Sequence, residues 1–259
     1  MKKYQKIIVK VIFVAAVLAF WEWYAIKRDI MAFPRLETIL KTLFEDMFVS
    51  DVRPILKYLG KSLLLIAEGL GIGIVLAFIC SGLSVASEIF STIYNLIVSV
   101  CDLLPAVALM PILMITIGAT DITIVILVVH SVVWPMSRSI MDGFKSVPQM
   151  YIESGKNIGL NKFGLIFGIY IPSSLANIIS GLRVGWARAW RGLISAEMIF
   201  GVASSAGIGT YINNARTLWL SFPSVYAALI LIILVGVLVE YGIFSNIEKY
   251  TVKKWSMIR

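Results

Sequence analysis

Apolar runs close to or above 20 residues recur from one end of this chain to the other, and no other feature limits its fold so strongly. As a helix, each run is long enough to cross a hydrocarbon core of about 30 Å. Six spans are expected, at Ile7–Ile26, Leu59–Val85, Ile89–Ile117, Ile122–Ile140, Leu165–Ile199 and Pro223–Phe244. The chain therefore reads as an all-α integral membrane protein, a single transmembrane domain over residues 1–259. Only 15% of its residues are charged, where a soluble domain averages about 25%. That excludes a greasy soluble enzyme.

The charges set a topology. Lys2, Lys3 and Lys6 precede the first span, and Lys249, Lys253, Lys254 and Arg259 follow the last. Basic residues collect on the cytoplasmic side, so an even number of spans places both termini in the cytoplasm. The same rule accounts for the net charge of +8 without nucleic acid as a partner; no basic patch interleaved with aromatics of the single-strand-binding kind is present. Residues 28–57 then fall outside. This is the least tidy part of the topology, because basic and acidic residues nearly balance there. Within it Leu36, Ile39, Leu40, Leu43 and Phe44 mark an amphipathic helix lying on the outer surface. The N-terminus begins like a signal peptide but lacks a small-x-small cleavage site, and Trp21, Trp23 and Tyr24 read as an interfacial belt on a retained span. Cys80 and Cys101 show no metal or disulfide spacing and read as packing residues. The third span carries Pro105 and Pro111, which should kink it, either harmlessly or beside a pathway.

A polar island, residues 146–162, interrupts the apolar pattern on the cytoplasmic side. Ser146, Val147, Pro148 and Gln149 read as a helix start with a Ser-x-x-Gln capping box. The helix should run to Ile158, end at a left-handed Gly159, and hand over to a long spanning helix capped by Asn161. On a helical wheel Val147, Met150, Tyr151, Ser154, Gly155 and Ile158 share one arc, and Gln149, Glu153, Lys156 and Asn157 the other. Ser154 and Gly155 are small enough to admit a close neighbour. By itself such a helix suits either a partner or the lipid headgroups.

At 100° per residue the fifth span divides into two faces. Leu175, Ile178, Ile179, Leu182, Trp186, Ala189 and Leu193 form the apolar one. Ser173, Asn177, Ser180, Arg188, Arg191 and Ser195 lie opposite, with Arg183 at the margin. A charge near the bilayer centre costs at least about 2.5–3.5 kcal/mol, so three arginines need water, a partner or a ligand. They either line a positive path for an oxyanion, which the guanidinium fork fits, or serve structure by pairing with Glu197, Glu68, Asp102 or carbonyls. Glu197 reads as part of an external gate or as a hydrogen-bond anchor. Gly207 and Gly209 suit a tight re-entrant turn. His130 reads as a satisfied packing residue.

The island and the start of the fifth span, ESGKNIGLNKFGLIFGIYIP, resemble the EAA motif of ABC-importer permeases. Glu153, Ser154, Gly155, Gly159, Ile169, Ile171 and Pro172 occupy its places; Ser154 and Gly155 stand where alanines are usual, and Ile171 where leucine is common. The stretches Leu104–Gly118, Ile179–Met198 and Gly207–Ile212 are similar to the nitrate, sulfonate and taurine branch, so the likeness runs over nearly the whole chain. It implies a type I importer permease fold with a cytoplasmic coupling helix, in which Glu153, Ser154, Gly155, Lys156, Gly159, Ile169 and Pro172 couple to an ATPase. It also implies a translocation path for a small solute, with Asn177, Ser180, Arg183, Arg188, Arg191, Ser195 and Glu197 as path candidates and Gly207 and Gly209 at an external gate. The implied partners are a second permease copy, two cytoplasmic ATPase subunits holding ATP and Mg, an external substrate-binding protein, and the bilayer of a bacterial inner membrane. The sequence has no Walker-type glycine-lysine loop, so the nucleotide chemistry is expected elsewhere and this chain is not expected to be an enzyme. A self-contained secondary transporter or channel would leave the shaped island unexplained. An intramembrane enzyme would need paired catalytic groups that the spans lack.

Overall fold

The computed structural model describes residues 3–200 and 206–252, apart from the side chains of Lys3 and Lys6. Lys2, Lys253, Lys254 and Arg259, on which the topology partly rests, lie outside the described residues, as do the first residues of the glycine-rich stretch after Phe200. Among the described residues every regular element is helical. The elements are α1 (Lys3–Arg28), α2 (Leu36–Phe48), α3 (Ile55–Ala86), α4 (Glu88–Cys101), α5 (Met110–Thr116), α6 (Asp121–Lys145), α7 (Gln149–Asn157), α8 (Lys162–Leu165), α9 (Ile171–Ser173), α10 (Leu175–Phe200), α11 (Ile208–Thr217), α12 (Phe222–Val237) and α13 (Ser245–Tyr250).

Four continuous stretches are long and apolar enough to cross a membrane: Ile7–Arg28, Ile55–Ala86, Asp121–Lys145 and Phe222–Tyr250. Two more spans exist only if each of two bent pairs counts as one, and here the structure departs from the simple expectation. The third span is broken, not kinked: Glu88–Cys101 and Ala106–Thr116 meet at 89°. Pro105 has no amide to continue a helix and sits extended at φ −62, ψ 129. The fifth span is also discontinuous. Lys162–Ser173 meets Leu175–Phe200 at 74°, after a π-helical segment at Ile166–Tyr170.

Helix α6 lies between α3 and α10, and glycines allow the approach. A Cβ on Gly69 or Gly73 of α3 would fall 2.4 Å from Val128 or 2.9 Å from Val132, both on α6. From the other side, a Cβ on Gly181 would fall 2.6 Å from Ser139, and one on Gly185 would sit 3.4 Å from the Val132 backbone. Gly69/Gly73 and Gly181/Gly185 are both Gly-x-x-x-Gly pairs, the spacing that lets membrane helices touch backbone to backbone. Ile124, Val128, Val132, Met136 and Ile140 are buried as a result.

The amphipathic helix α2 is not laid flat as a surface helix. Its Ile39 and Asp46 are buried, and Leu40, Phe44 and Phe48 remain exposed. The end of α1 is tied down: Trp21 Nε1 donates to the Pro34 carbonyl at 3.2 Å, and Glu22 accepts from the Leu36 amide at 2.9 Å. Of the expected aromatic belt, Trp21 packs tilted and Tyr24 edge-on against Phe33, leaving Trp23 exposed.

Gly181→Val should destabilise the bundle by about 1–3 kcal/mol, as overpacking a filled interface does. Gly60→Ala, where a Cβ meets nothing within 4 Å, should leave stability unchanged or slightly raised. Thermal unfolding of the detergent-solubilised protein checks both.

Candidate functional site

The polar island folds into α7 and a tight turn. The expected capping box does not form. Ser146 closes α6, its hydroxyl donating to the Gly143 carbonyl at 2.7 Å, and α7 begins after an extended Pro148 with no side-chain cap. Because α6 ends on Ser146, that side chain is committed before α7 starts. The other end forms as read. Gly159 is left-handed at φ +85; its amide donates to the Lys156 carbonyl at 3.0 Å and that of Leu160 to the Gly155 carbonyl at 3.0 Å. This is a Schellman closure. Asn161 accepts from the Gly164 amide at 2.8 Å, capping α8.

The predicted arcs of α7 need one correction. Gly155 is small for a neighbour within its own chain: a Cβ there would fall 2.4 Å from Ile169 and 2.8 Å from Leu165. Ile152 is buried beside it, a residue that the wheel had not placed on either face. The motif positions Gly155 and Ile169 therefore form one joint between α7 and the foot of the fifth span. Pro172 sits in the first turn of α9. Glu153, Ser154 and Lys156 face outward with Met150, Tyr151 and Ile158, the last 77% exposed. The Ser154 hydroxyl returns to the Met150 carbonyl.

The arginines of the fifth span separate. Arg183 turns toward the end of the chain, 3.4 Å from Glu240 and 3.0 Å from Glu248, and over the Phe244 ring. It is not in the candidate path. Arg188, Arg191 and Ser195 line a cavity of about 360 Å³ against the break that follows α4 and against His130 and Trp134 of α6. There Arg188 Nη1 meets Asp102 Oδ1 at 2.5 Å, and Arg138 Nε meets Asp102 Oδ2 at 3.2 Å. Among the described residues Arg191 donates only to the carbonyl of Ala187, on its own helix, at 3.0 Å. The expected satisfied histidine is not found: His130 Nε2 is buried without a hydrogen-bond partner, and so is Trp134 Nε1, whose ring meets His130 edge-on at 5.8 Å. Both residues line the cavity. Ser180 is exposed outside the cavity, and Asn177 packs beside Gly143.

Glu197 pairs with none of the described arginines. It is fully buried, accepts from Ser62 Oγ at 2.7 and 2.8 Å, and accepts from the Gly209 amide at 2.9 Å. Ser62 Oγ in turn accepts from the Ile208 amide at 2.8 Å. The carboxylate thus anchors the first turn of α11, where unpaired amides and the helix dipole favour negative charge. The reading of Gly207 and Gly209 changes accordingly. Gly207 has an ordinary φ of −91; the glycines are needed for space, since a Cβ on Gly207 would fall 1.9 Å from Glu197 Oε1 and one on Gly209 2.4 Å from the Ile194 carbonyl.

A second buried knot escaped the sequence reading. Asp46 on α2 accepts from the Tyr211 hydroxyl and, at 3.1 Å, from Ser224, and pairs with Arg53 at 3.3 Å. Burial, and next the adjoining Asp46, push the Tyr211 phenol above its ordinary pKa, so it remains a donor. The available signal was an acidic residue at position 46 in register with Ile39 and Leu43 on the apolar stripe of α2.

Residues 69–251, holding α7, the cavity and the Glu197 anchor, match the family of binding-protein-dependent transport system inner membrane components. The chain belongs to this family. It is a multi-pass membrane protein and a permease subunit of an ABC transport system, whose members work with an ATPase and a binding protein. A Methanocaldococcus jannaschii protein provisionally assigned as an ABC transporter permease is 26% identical over 258 residues, 96% of this chain and 92% of that relative. The taurine transport system permease of Escherichia coli is 27% identical over 54% of this chain and 49% of its own length. The nitrate import permease of Synechocystis is 28% identical over 53% and 48%. Against these two, the match spans about half the relative.

Ser62→Ala should cost about 1–3 kcal/mol by leaving the buried Glu197 carboxylate short of its hydroxyl donor. Gly207→Val should abolish the folded population. Chemical denaturation and size-exclusion profiles in detergent check the pair.

Proposed function

We propose that this chain is the importing permease of its system and that α7 is the rod on which a cytoplasmic ATPase pushes. The observation that carries this reading is the joint at Gly155. The rod is closed by a Schellman turn and clamped through Ile169 and Leu165 to the fifth span, and Met150, Tyr151 and Ile158 remain uncovered beside Glu153 and Lys156. A rigid lever with an unfilled apolar face transmits displacement and gains affinity from burial. The functional unit is two copies of this permease with two ATPase subunits, which hold ATP and Mg, and an external binding protein. Both termini face the cytoplasm of a cell whose inner membrane the spans cross. This chain performs no covalent chemistry.

The cargo is a small oxyanion, of the class to which taurine and nitrate belong. Two guanidinium groups, Arg188 and Arg191, face the cavity with one carboxylate between them and Arg138. The planar fork of arginine matches a sulfonate, nitrate or carboxylate by paired hydrogen bonds. The names of the taurine and nitrate relatives support that class.

A photo-crosslinking amino acid at Tyr151 should capture an ATP-hydrolysing subunit, identified by peptide mass spectrometry; capture of phospholipid alone would remove the lever. Gly159→Val forces a branched side chain into a left-handed backbone. It should reduce ATP-driven uptake by about tenfold or more, as misplacing a coupling element can, while the protein still inserts.

A further inference from the structure

Asp102 stands where no spanning helix needs a charge. It closes α4 at the 89° break of the third span, and its carboxylate is shared between helices: Oδ1 goes to Arg188 of α10 and Oδ2 to Arg138 of α6. Its side chain is 11% exposed, against 42% for Arg188. Arg191, three residues on from Arg188, faces the same cavity and has no carboxylate partner among the described residues. A carboxylate is itself a planar oxyanion. Asp102 therefore already occupies, from within the chain, part of the place an arriving oxyanion would take.

We propose that Asp102 is an internal competitor for the cargo. Resting on the reading of the cavity as an oxyanion path, the inference is that Asp102 clamps Arg188 to the break while the cavity is empty. An incoming anion held by Arg188 and Arg191 displaces Asp102 from Arg188, and Asp102 stays paired with Arg138. Counting Arg138, the site holds three guanidinium groups and one carboxylate. A monoanion thus enters without an unpaired negative charge being left behind. Displacement removes the ion pair, and with it the 3.4 Å bond from the same Arg188 Nη1 to the Asp102 carbonyl, by which Arg188 ties the break in the third span to α10, so occupancy is communicated as freedom of that break. It also sets specificity: a ligand must outcompete a carboxylate already in place, and neutral solutes cannot.

Cys101 adjoins Asp102 and lines the cavity, so its alkylation reports the break directly. The test uses the assembled complex in nanodiscs, with Cys80→Ser throughout, N-ethylmaleimide as the thiol reagent and methanesulfonate as the anion. In the parent chain, methanesulfonate should change the Cys101 alkylation rate by about tenfold, within the usual range of site-to-site coupling. Asp102→Asn should show the anion-bound rate without anion, and Asp102→Glu should restore the response. The pair Asp102→Asn/Arg138→Gln, which removes one charge of each sign, guards against misfolding and should behave like Asp102→Asn. If Asp102→Asn and the parent respond equally, the competitor role is overturned and the oxyanion path stands. If methanesulfonate stimulates ATP hydrolysis yet leaves Cys101 unchanged in the parent chain, displacement is likewise overturned. If it affects neither, the oxyanion reading itself falls, and this inference with it.

Discussion

Glycine-mediated contact of α6 with α3 and α10 is the constraint on which the rest of the structure depends. Between helices in lipid there is no hydrophobic driving force, because the tails are as apolar as the side chains. Association comes from close van der Waals packing and from interhelical hydrogen bonds. Gly69 and Gly73 bring α3 onto Val128 and Val132, and Gly181 and Gly185 bring α10 onto the opposite side of the same helix. That approach fixes the distance between α6 and α10, and hence the width of the cavity that Trp134 and His130 share with Arg188 and Arg191. It also fixes the foot of α10 near Gly143, where a Cβ would fall 2.8 Å from Ser174, the residue at the bend. One packing device therefore positions both the cavity and the joint below it.

The joint is stiff at one end and bent at the other, and both properties serve a lever. Gly155 meshes with Ile169 and Leu165, while the 74° bend at Ser174 and the π-helical turn before it interrupt the regular hydrogen-bond ladder. Interrupted helices tolerate such geometry where neighbours supply the missing partners, and the Ser174 amide finds the carbonyls of Tyr170 and Ile171 at 3.0 and 3.2 Å. Displacement of α7 is thus delivered to α8 and the π segment as one body, with Ser174 as the point at which it can turn into rotation of α10.

Much of this was legible from residue spacing, and the failures share a cause. Helical class, the four continuous spans, the left-handed Gly159 and the Asn161 cap follow from local pattern, and local pattern is retained in the structure. What failed needed knowledge of a neighbour. Ser146 could close α6 or open α7, and only the register of α6 decides. Gly155 and Gly207 announce a close approach without naming who approaches, and the neighbours proved to be Ile169 and Glu197. The break in the third span was legible as a proline but not as an angle, because an angle depends on what receives the second half, and the bend in the fifth span was not anticipated at all. Asp46 and Tyr211, 165 residues apart, form a contact that no periodicity encodes. The two Gly-x-x-x-Gly pairs, by contrast, are a purely local spacing at positions 69/73 and 181/185.

Three arginines on one span posed a single problem at the level of sequence, and the fold solves it in three ways. Arg183 is neutralised by Glu240 and Glu248 from the last span, so its charge secures α10 to the end of the chain. Arg188 is neutralised by a carboxylate at a helix break. Arg191 keeps its charge and, among the described residues, answers only to a backbone carbonyl. A charge without a counter-ion is costly in hydrocarbon and tolerable beside a space that admits water, and Arg191 lines a cavity of about 360 Å³. The gradient from fully paired to unpaired runs along the helix toward the Glu197 anchor. Had all three been structural, each would have found a carboxylate of its own; Glu197 is close in sequence and is instead committed to Ser62 and Gly209. Glu197 is thus held by Ser62 and the first turn of α11 and adds no second carboxylate to the one that Asp102 already brings to the cavity.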